Sequence, residues 1–82
     1  QQTLHFPLPD RTARLQLWQQ AFPAQALLAD DIDWDALAQI SLSAGEIHAI
    51  AREAAIYAAA SNSVSIAMAD LRQACRFKGI KL

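Results

Sequence analysis

Few side chains in this chain could carry chemistry of their own. The histidines are His5 and His48 and the one thiol is Cys75. No CxxC or HxxxH spacing joins them, so a zinc site lacks its usual pattern. A Cys–His nucleophile pair would need an accessible thiolate. Cys75 instead falls at helical spacing with Leu71 and Ala74, which reads as a buried structural cysteine. The run Asp30-Asp31-Ile32-Asp33-Trp34-Asp35 puts carboxylates at positions one, three and five of a calcium loop counted from Asp31. Position six, where that loop needs glycine, is Ala36, and position twelve, its bidentate glutamate, is Leu42. These acids suit helix starts, where negative charge meets the positive end of the dipole. Phosphate binding by a P-loop requires G-x-x-x-x-G-K-[ST]. Glycine occurs only at 45 and 79, so the chain holds no P-loop and is not by itself a P-loop enzyme.

What remains is a place where backbone could come close to something else. Ser43 is a helix cap, with Glu46 three residues on as the reciprocal partner of a capping box. Ala44 and Gly45 follow the cap, and their small size permits close backbone approach. Behind them Ile47, Ile50, Ala51, Ala54 and Ala58 form one apolar face at helical spacing. His48, Arg52 and Glu53 are expected on the far side, with Ile56 among them.

The elements that must position this stretch are helical. Leu15, Trp18 and Phe22 recur at i, i+3 and i+7 behind Asp10, a good N-cap, and Pro23 stops the helix. Asp33 caps a short second helix through Trp34, Leu37 and Ala38. The third helix starts at Ser43 and ends near Ser61-Asn62-Ser63. Val64-Ser65-Ile66 is a short extended link, and a fourth helix runs from Met68 to Phe77 with Leu71, Ala74 and Cys75 inward. Thr3-Leu4-His5-Phe6 alternates like a strand end before Pro7-Leu8-Pro9. The fold expected is all-α, a small bundle of three to four short helices with a short extended N-terminal segment.

Bulk properties agree. Eighty-two residues make one small domain. The 54% hydrophobic fraction is raised by alanine, so it signals close helix packing more than a large oily core. A net charge of −1 gives no electrostatic reason to expect nucleic acid or an anionic membrane. The lone cysteine fits a reducing, cytoplasmic setting. No apolar run has membrane-spanning length. A helix-turn-helix reader would show several Arg, Lys, Asn or Gln on its recognition helix. The third helix offers His48 and Arg52 against Glu46 and Glu53. The fourth offers Arg72, Gln73, Arg76 and Lys78, offset by Asp70.

In order and spacing these segments resemble the C-terminal lid subdomain of AAA+ ATPases. Phe6-Pro7-Leu8-Pro9-Asp10 looks like the F-P-x-P-D joint after the last strand of the ATPase core. Arg14, Leu17 and Trp18 match R-x-x-I-[WL] of the first lid helix, and Asp31-Ile32-Asp33 with Leu37-Ala38 match D-[VI]-D-x-x-x-L-A of the second. Residues 42–55 and 66–74 match the third and fourth. Within the family the chain looks most like a bacterial group associated with phage-tail-like contractile particles, through Phe22-Pro23 and Leu42-Ser43-Ala44-Gly45-Glu46-Ile47.

The resemblance implies residues 1–9 as a linker from a preceding ATPase core and 10–82 as the lid, a piece of a longer protein. It implies ATP/ADP as cofactor, with Mg bound by the core outside this chain. Ala44, Gly45 and His48 would contact nucleotide, and Arg52, Glu53 and Ile56 would contact the core or a neighbouring subunit of a hexamer. No nucleic acid or membrane partner is expected. His48 stands where that group carries a basic residue. If that residue senses phosphate, as the sensor-2 arginine of some AAA+ lids does, a histidine would do so poorly near neutral pH, being mostly uncharged. The family's Ser or Thr cap of the fourth helix is Ala67 here, a loss expected to cost about 0.5–2 kcal/mol. The competing readings are a helical protein-interaction module without a nucleotide role, and a helix-turn-helix DNA-binding domain.

Overall fold

A computed structural model describes residues 8–82. Four α-helices follow one another: α1 (Arg11–Ala21), α2 (Trp34–Ala38), α3 (Ala44–Ala60) and α4 (Met68–Phe77). The expected extended segment at Thr3-Leu4-His5-Phe6, and most of the 1–9 linker, lie outside the described residues.

Local signals set the helix boundaries. The Asp10 carboxylate accepts from the Ala13 N–H at 2.8 Å and opens α1. Asp33 does the same for α2 through Ala36 at 3.1 Å. At α3 the capping box is complete: Ser43 Oγ accepts from the Glu46 N–H at 3.2 Å, and Glu46 Oε1 accepts from the Ser43 N–H at 2.9 Å. That helix ends on Asn62 in the left-handed region, φ 57°. Its N–H bonds to Ala59 O, and the Ser63 N–H reaches back to Ala58 O at 2.9 Å, which closes the last turn as a Schellman motif. Gly79 (φ 77°) repeats the motif after α4, with Ile80 N–H on Cys75 O at 2.9 Å.

The start of α4 departs from the sequence expectation. Ala67 supplies no side-chain cap, but the N–H of Met68 donates to Asp31 Oδ1 at 3.1 Å, across 37 residues of chain. Asp70 in turn accepts from the Ala67 N–H at 2.9 Å. The cap missing at 67 is thus partly supplied from the loop before α2.

Packing centres on α3, whose buried face (Ile47, Ile50, Ala51, Ala54 and Ala58) meets α1 on one side and α4 on the other. Alanines on that face let the helices approach closely, while Trp18, Leu37, Leu71 and Cys75 fill the remaining volume, all fully buried. Trp18 satisfies its indole by donating to Leu37 O at 3.1 Å. Phe22, past the end of α1, meets Trp34 edge to face with ring centroids 6.1 Å apart. Of the link expected to be extended, Val64 and Ser65 form a bend, and Ile66 alone pairs, in a parallel bridge with Leu28, its N–H on Leu27 O and the Ala29 N–H on Ile66 O, both 2.8 Å. Burial pushes the Cys75 thiol up from its ordinary value, consistent with a structural cysteine. No helix among the described residues is long and apolar enough to cross a membrane.

Candidate functional site

The α3 helix carries an exposed stripe opposite its packed face. Ala44 and Gly45 stand in its first turn, His48 is one turn on, Arg52 a second and Ile56 a third, each exposed. At 1.5 Å per residue the stripe runs roughly 18 Å along the helix. Spacing of three and four residues puts these positions on one side. The structure therefore brings together five of the six residues singled out from sequence.

Glu53 is the exception. Far from lying with Arg52 on the solvent side, it is half-buried and turned toward the end of α4, where its Oε2 lies 3.5 Å from Lys78 Nζ. Its Oε1 is buried without a hydrogen-bond partner. Helical spacing explains the difference: 53 stands next to the buried positions 50 and 54, at the edge of the packed face.

Gly45 has room around it. Among the described residues a Cβ built there would meet only Ser43 Oγ, at 4.0 Å, and its φ is not positive. Neither packing within the domain nor backbone conformation requires glycine at this position. The N–H groups of Ala44 and Gly45 precede the helical ladder and find no acceptor among the described residues. Glu46 stands beside them, its carboxyl held below the ordinary glutamate value chiefly by the hydrogen bond from the Ser43 backbone and next by the Ser43 side chain. A negative charge at this helix start disfavours a phosphate group there and tolerates a neutral or hydrogen-bonding surface.

Beyond Ile56 the stripe meets a shallow groove of about 240 Å³ between α3, the 25–27 loop and the 63–66 link. Ala55 and Ala59 form part of its floor, and Leu27 and Val64 stand at its edge. Leu27 is 60% exposed, Val64 84% and Ile56 58%, so this end of the domain is apolar and open. Sequence reasoning found Ile56 by its place on a polar helix. It missed Leu27 and Val64 because both sit in loops, where no periodicity marks an outward apolar side chain.

At the other end of the fold, Arg14 fastens the chain where it enters the bundle. Its Nε donates to Ala38 O at 2.6 Å and its Nη1 to Pro9 O at 2.7 Å. One guanidinium thus ties the entering segment to the end of α2. Asp31, Asp33 and Asp35 are occupied as the Met68 cap, the α2 cap and the partner of Arg11 at 2.7 Å. Among the described residues no group of three His, Cys, Asp or Glu gathers as a metal ion would need.

Comparison with known proteins bears on the whole arrangement. No curated protein matches the chain. Residues 10–78, all four helices and their caps, match the family model described as the contractile injection system ATPase helical domain, and the chain belongs to that family.

Proposed function

We propose that this domain is the lid of its ATPase: it covers the adenine side of a nucleotide site built by a separate P-loop core, and passes the nucleotide state to neighbouring subunits of a ring. One observation carries the reading. At the start of α3, Gly45 stands in open space with its N–H turned to no partner among the described residues, on the same stripe as Ala44 and His48. A glycine that its own fold does not require suits a surface approached closely by something outside it. Glu46 favours the base or ribose over the phosphates at that place.

The remaining features fit the same mechanics. ATP and ADP would favour different angles between core and lid, and a rigid lid turns that difference into motion. Rigidity comes from the alanine-packed α3 and from Arg14, which holds the entering chain to α2 so that a turn at the joint moves the bundle as one body. The apolar end around Ile56, Leu27 and Val64 supplies a surface for the core or for the next subunit. The nucleotide, ATP or ADP with Mg held by the core, would contact this chain through Ala44, Gly45 and His48.

The test is Gly45→Leu in the full ATPase. The position is exposed and a Cβ there meets nothing nearer than 4.0 Å among the described residues, so folding by circular dichroism should be unchanged. Nucleotide affinity and turnover should fall together. Full turnover with normal nucleotide binding would defeat the lid reading and leave an interaction module. Separately, Ile56→Asp should lower ring assembly in a light-scattering measurement without altering the fold of the domain.

A further inference from the structure

Among the described residues the charges of this domain are not used evenly. Seven of its eight acids are engaged internally. Asp10, Asp31, Asp33 and Asp70 accept from backbone N–H groups, Glu46 closes its capping box, and Asp35 and Glu53 pair with cations. Asp30 alone has no such partner. On the basic side Arg11, Arg14 and Lys78 are engaged. Arg52, Arg72, Arg76 and Lys81 keep neither a carboxylate nor a carbonyl partner. The sequence is acidic by one charge, yet the unengaged side chains are mostly cations.

Three of those four cations surround one cleft. Arg72 and Arg76 are successive turns of the exposed face of α4. The Schellman turn at Gly79 folds Ile80 and Lys81 back beside them. The cleft measures about 300 Å³, and its lining is Arg72, Arg76, Lys81, Ile80 and Leu82, with no Asp or Glu side chain. Ile80 and Leu82 are half-buried against the core, so the floor is apolar and the rim cationic. Compensation of the α4 dipole accounts for Arg76, in the last turn. It does not account for Arg72, a turn earlier, or for Lys81, beyond the helix.

We infer that this cleft is a docking site for an acidic peptide segment of another protein, one that seats a single apolar side chain on Ile80 and Leu82 and sets flanking carboxylates against Arg72, Arg76 and Lys81. The volume admits one or two side chains rather than a folded surface. Arginine forks match carboxylates in paired geometry. A second copy of this domain does not fit as the occupant. Its acidic run has Ile32 buried, with Asp31, Asp33 and Asp35 already engaged. Nucleic acid fits less well, because a phosphate backbone leaves the apolar floor unused and wants a longer basic track. The inference stands apart from the lid reading: it uses the last turns of α4 and residues 80–82, not the first turn of α3, and needs no nucleotide.

The experiment is fluorescence anisotropy with the 82-residue chain and three labelled probes at low salt. They are a 12-residue peptide with Leu-Phe between Asp and Glu pairs, the same peptide with Ser in place of Leu-Phe, and a single-stranded oligonucleotide of equal charge. The first probe should bind, the serine peptide at least several-fold more weakly, and the oligonucleotide more weakly than the first. Arg72→Glu with Arg76→Glu should weaken the first probe roughly tenfold or more, while Arg52→Glu on α3 leaves it unchanged. Both arginines are exposed and carry no bond among the described residues, so the double variant should keep its helical spectrum. Amide shifts in a 15N-labelled sample would place the peptide at residues 72–82. The inference is overturned if the oligonucleotide binds as well as the peptide, if the serine peptide binds equally, if the double charge reversal changes nothing, or if the shifts fall elsewhere.

Discussion

The starts of α3 and α4 solve one physical problem in opposite ways. Each must satisfy N–H groups that precede the helical ladder. At α3 the solution is local: Ser43 and Glu46, three residues apart, serve each other. At α4 it is distributed: Ala67 contributes no side chain, Asp31 reaches in from the loop before α2, and Asp70 turns back to Ala67. A helix start that caps itself is free to face outward. One that borrows its cap is tied to the rest of the fold. The first carries the candidate contact residues, and the second helps to hold the domain together.

The two glycines sharpen the contrast. Gly79 sits at φ 77°, where a side chain is strained whatever the space, and its turn closes α4. Gly45 sits in ordinary backbone and open space. The largest effect expected is therefore at the end of α4. Gly79→Val should destabilise the domain by about 2 kcal/mol, read as a lower denaturant midpoint. A midpoint equal to that of the parent would show that the turn can close another way.

Next comes the borrowed cap. Asp31→Ala leaves the Met68 N–H without its acceptor and should cost about 1 kcal/mol. Hydrogen exchange should locate the loss in the first turn of α4 and not in α2, which Asp33 caps. Loss confined to α2 would mean that Asp31 acts on its own loop.

Gly45→Ala reverses the sign. Alanine in the first turn of α3 should stabilise the isolated domain by about 0.5 kcal/mol, because the unfolded chain loses freedom and nothing clashes. In the intact ATPase the same change should lower nucleotide affinity. A domain that grows more stable while its enzyme weakens separates what the fold needs from what the site needs. Gain in both would mean that Gly45 has no outside contact.

The same contrast governs how much could be read from sequence. The α3 cap, its buried face and its end at Asn62 are all local patterns, legible from residue types three to four apart. The inward set of α4 and the buried Cys75 followed from the same spacing. What spacing cannot show is which distant group completes a local deficit. Asp31 on Met68 spans 37 residues, and Arg14 on Ala38 spans 24. Glu53 was misplaced on the solvent side because its partner, Lys78, lies on another element. The apolar rim at Leu27 and Val64 was invisible for a related reason: a loop has no face until something packs beneath it. Of the candidate contact residues, exposure on one stripe is a property of the fold, while contact with nucleotide is a proposal for the assembled enzyme to test.

A similarly small effect tests the start of α4 itself. Ala67→Thr puts at the start of α4 the hydroxyl that the resemblance implies there, and sequence alone would assign it the full worth of an N-cap. In the structure the Met68 N–H is already taken by Asp31, and the Asp70 N–H lies 3.0 Å from Ala67 O. A threonine hydroxyl can add only what these leave unsatisfied. The midpoint should rise, but by about 0.5 kcal/mol, the lower end of capping effects. At the cap position a hydroxyl accepts from the N–H of Ala69 or Asp70, whereas Asp31 holds the N–H of Met68. The two acceptors serve different N–H groups, so the threonine should gain about the same in the Asp31→Ala background, as a double-mutant cycle would read. A clearly larger gain there would mean that the hydroxyl takes over the Met68 N–H, so that one acceptor stands in for the other at the start of α4.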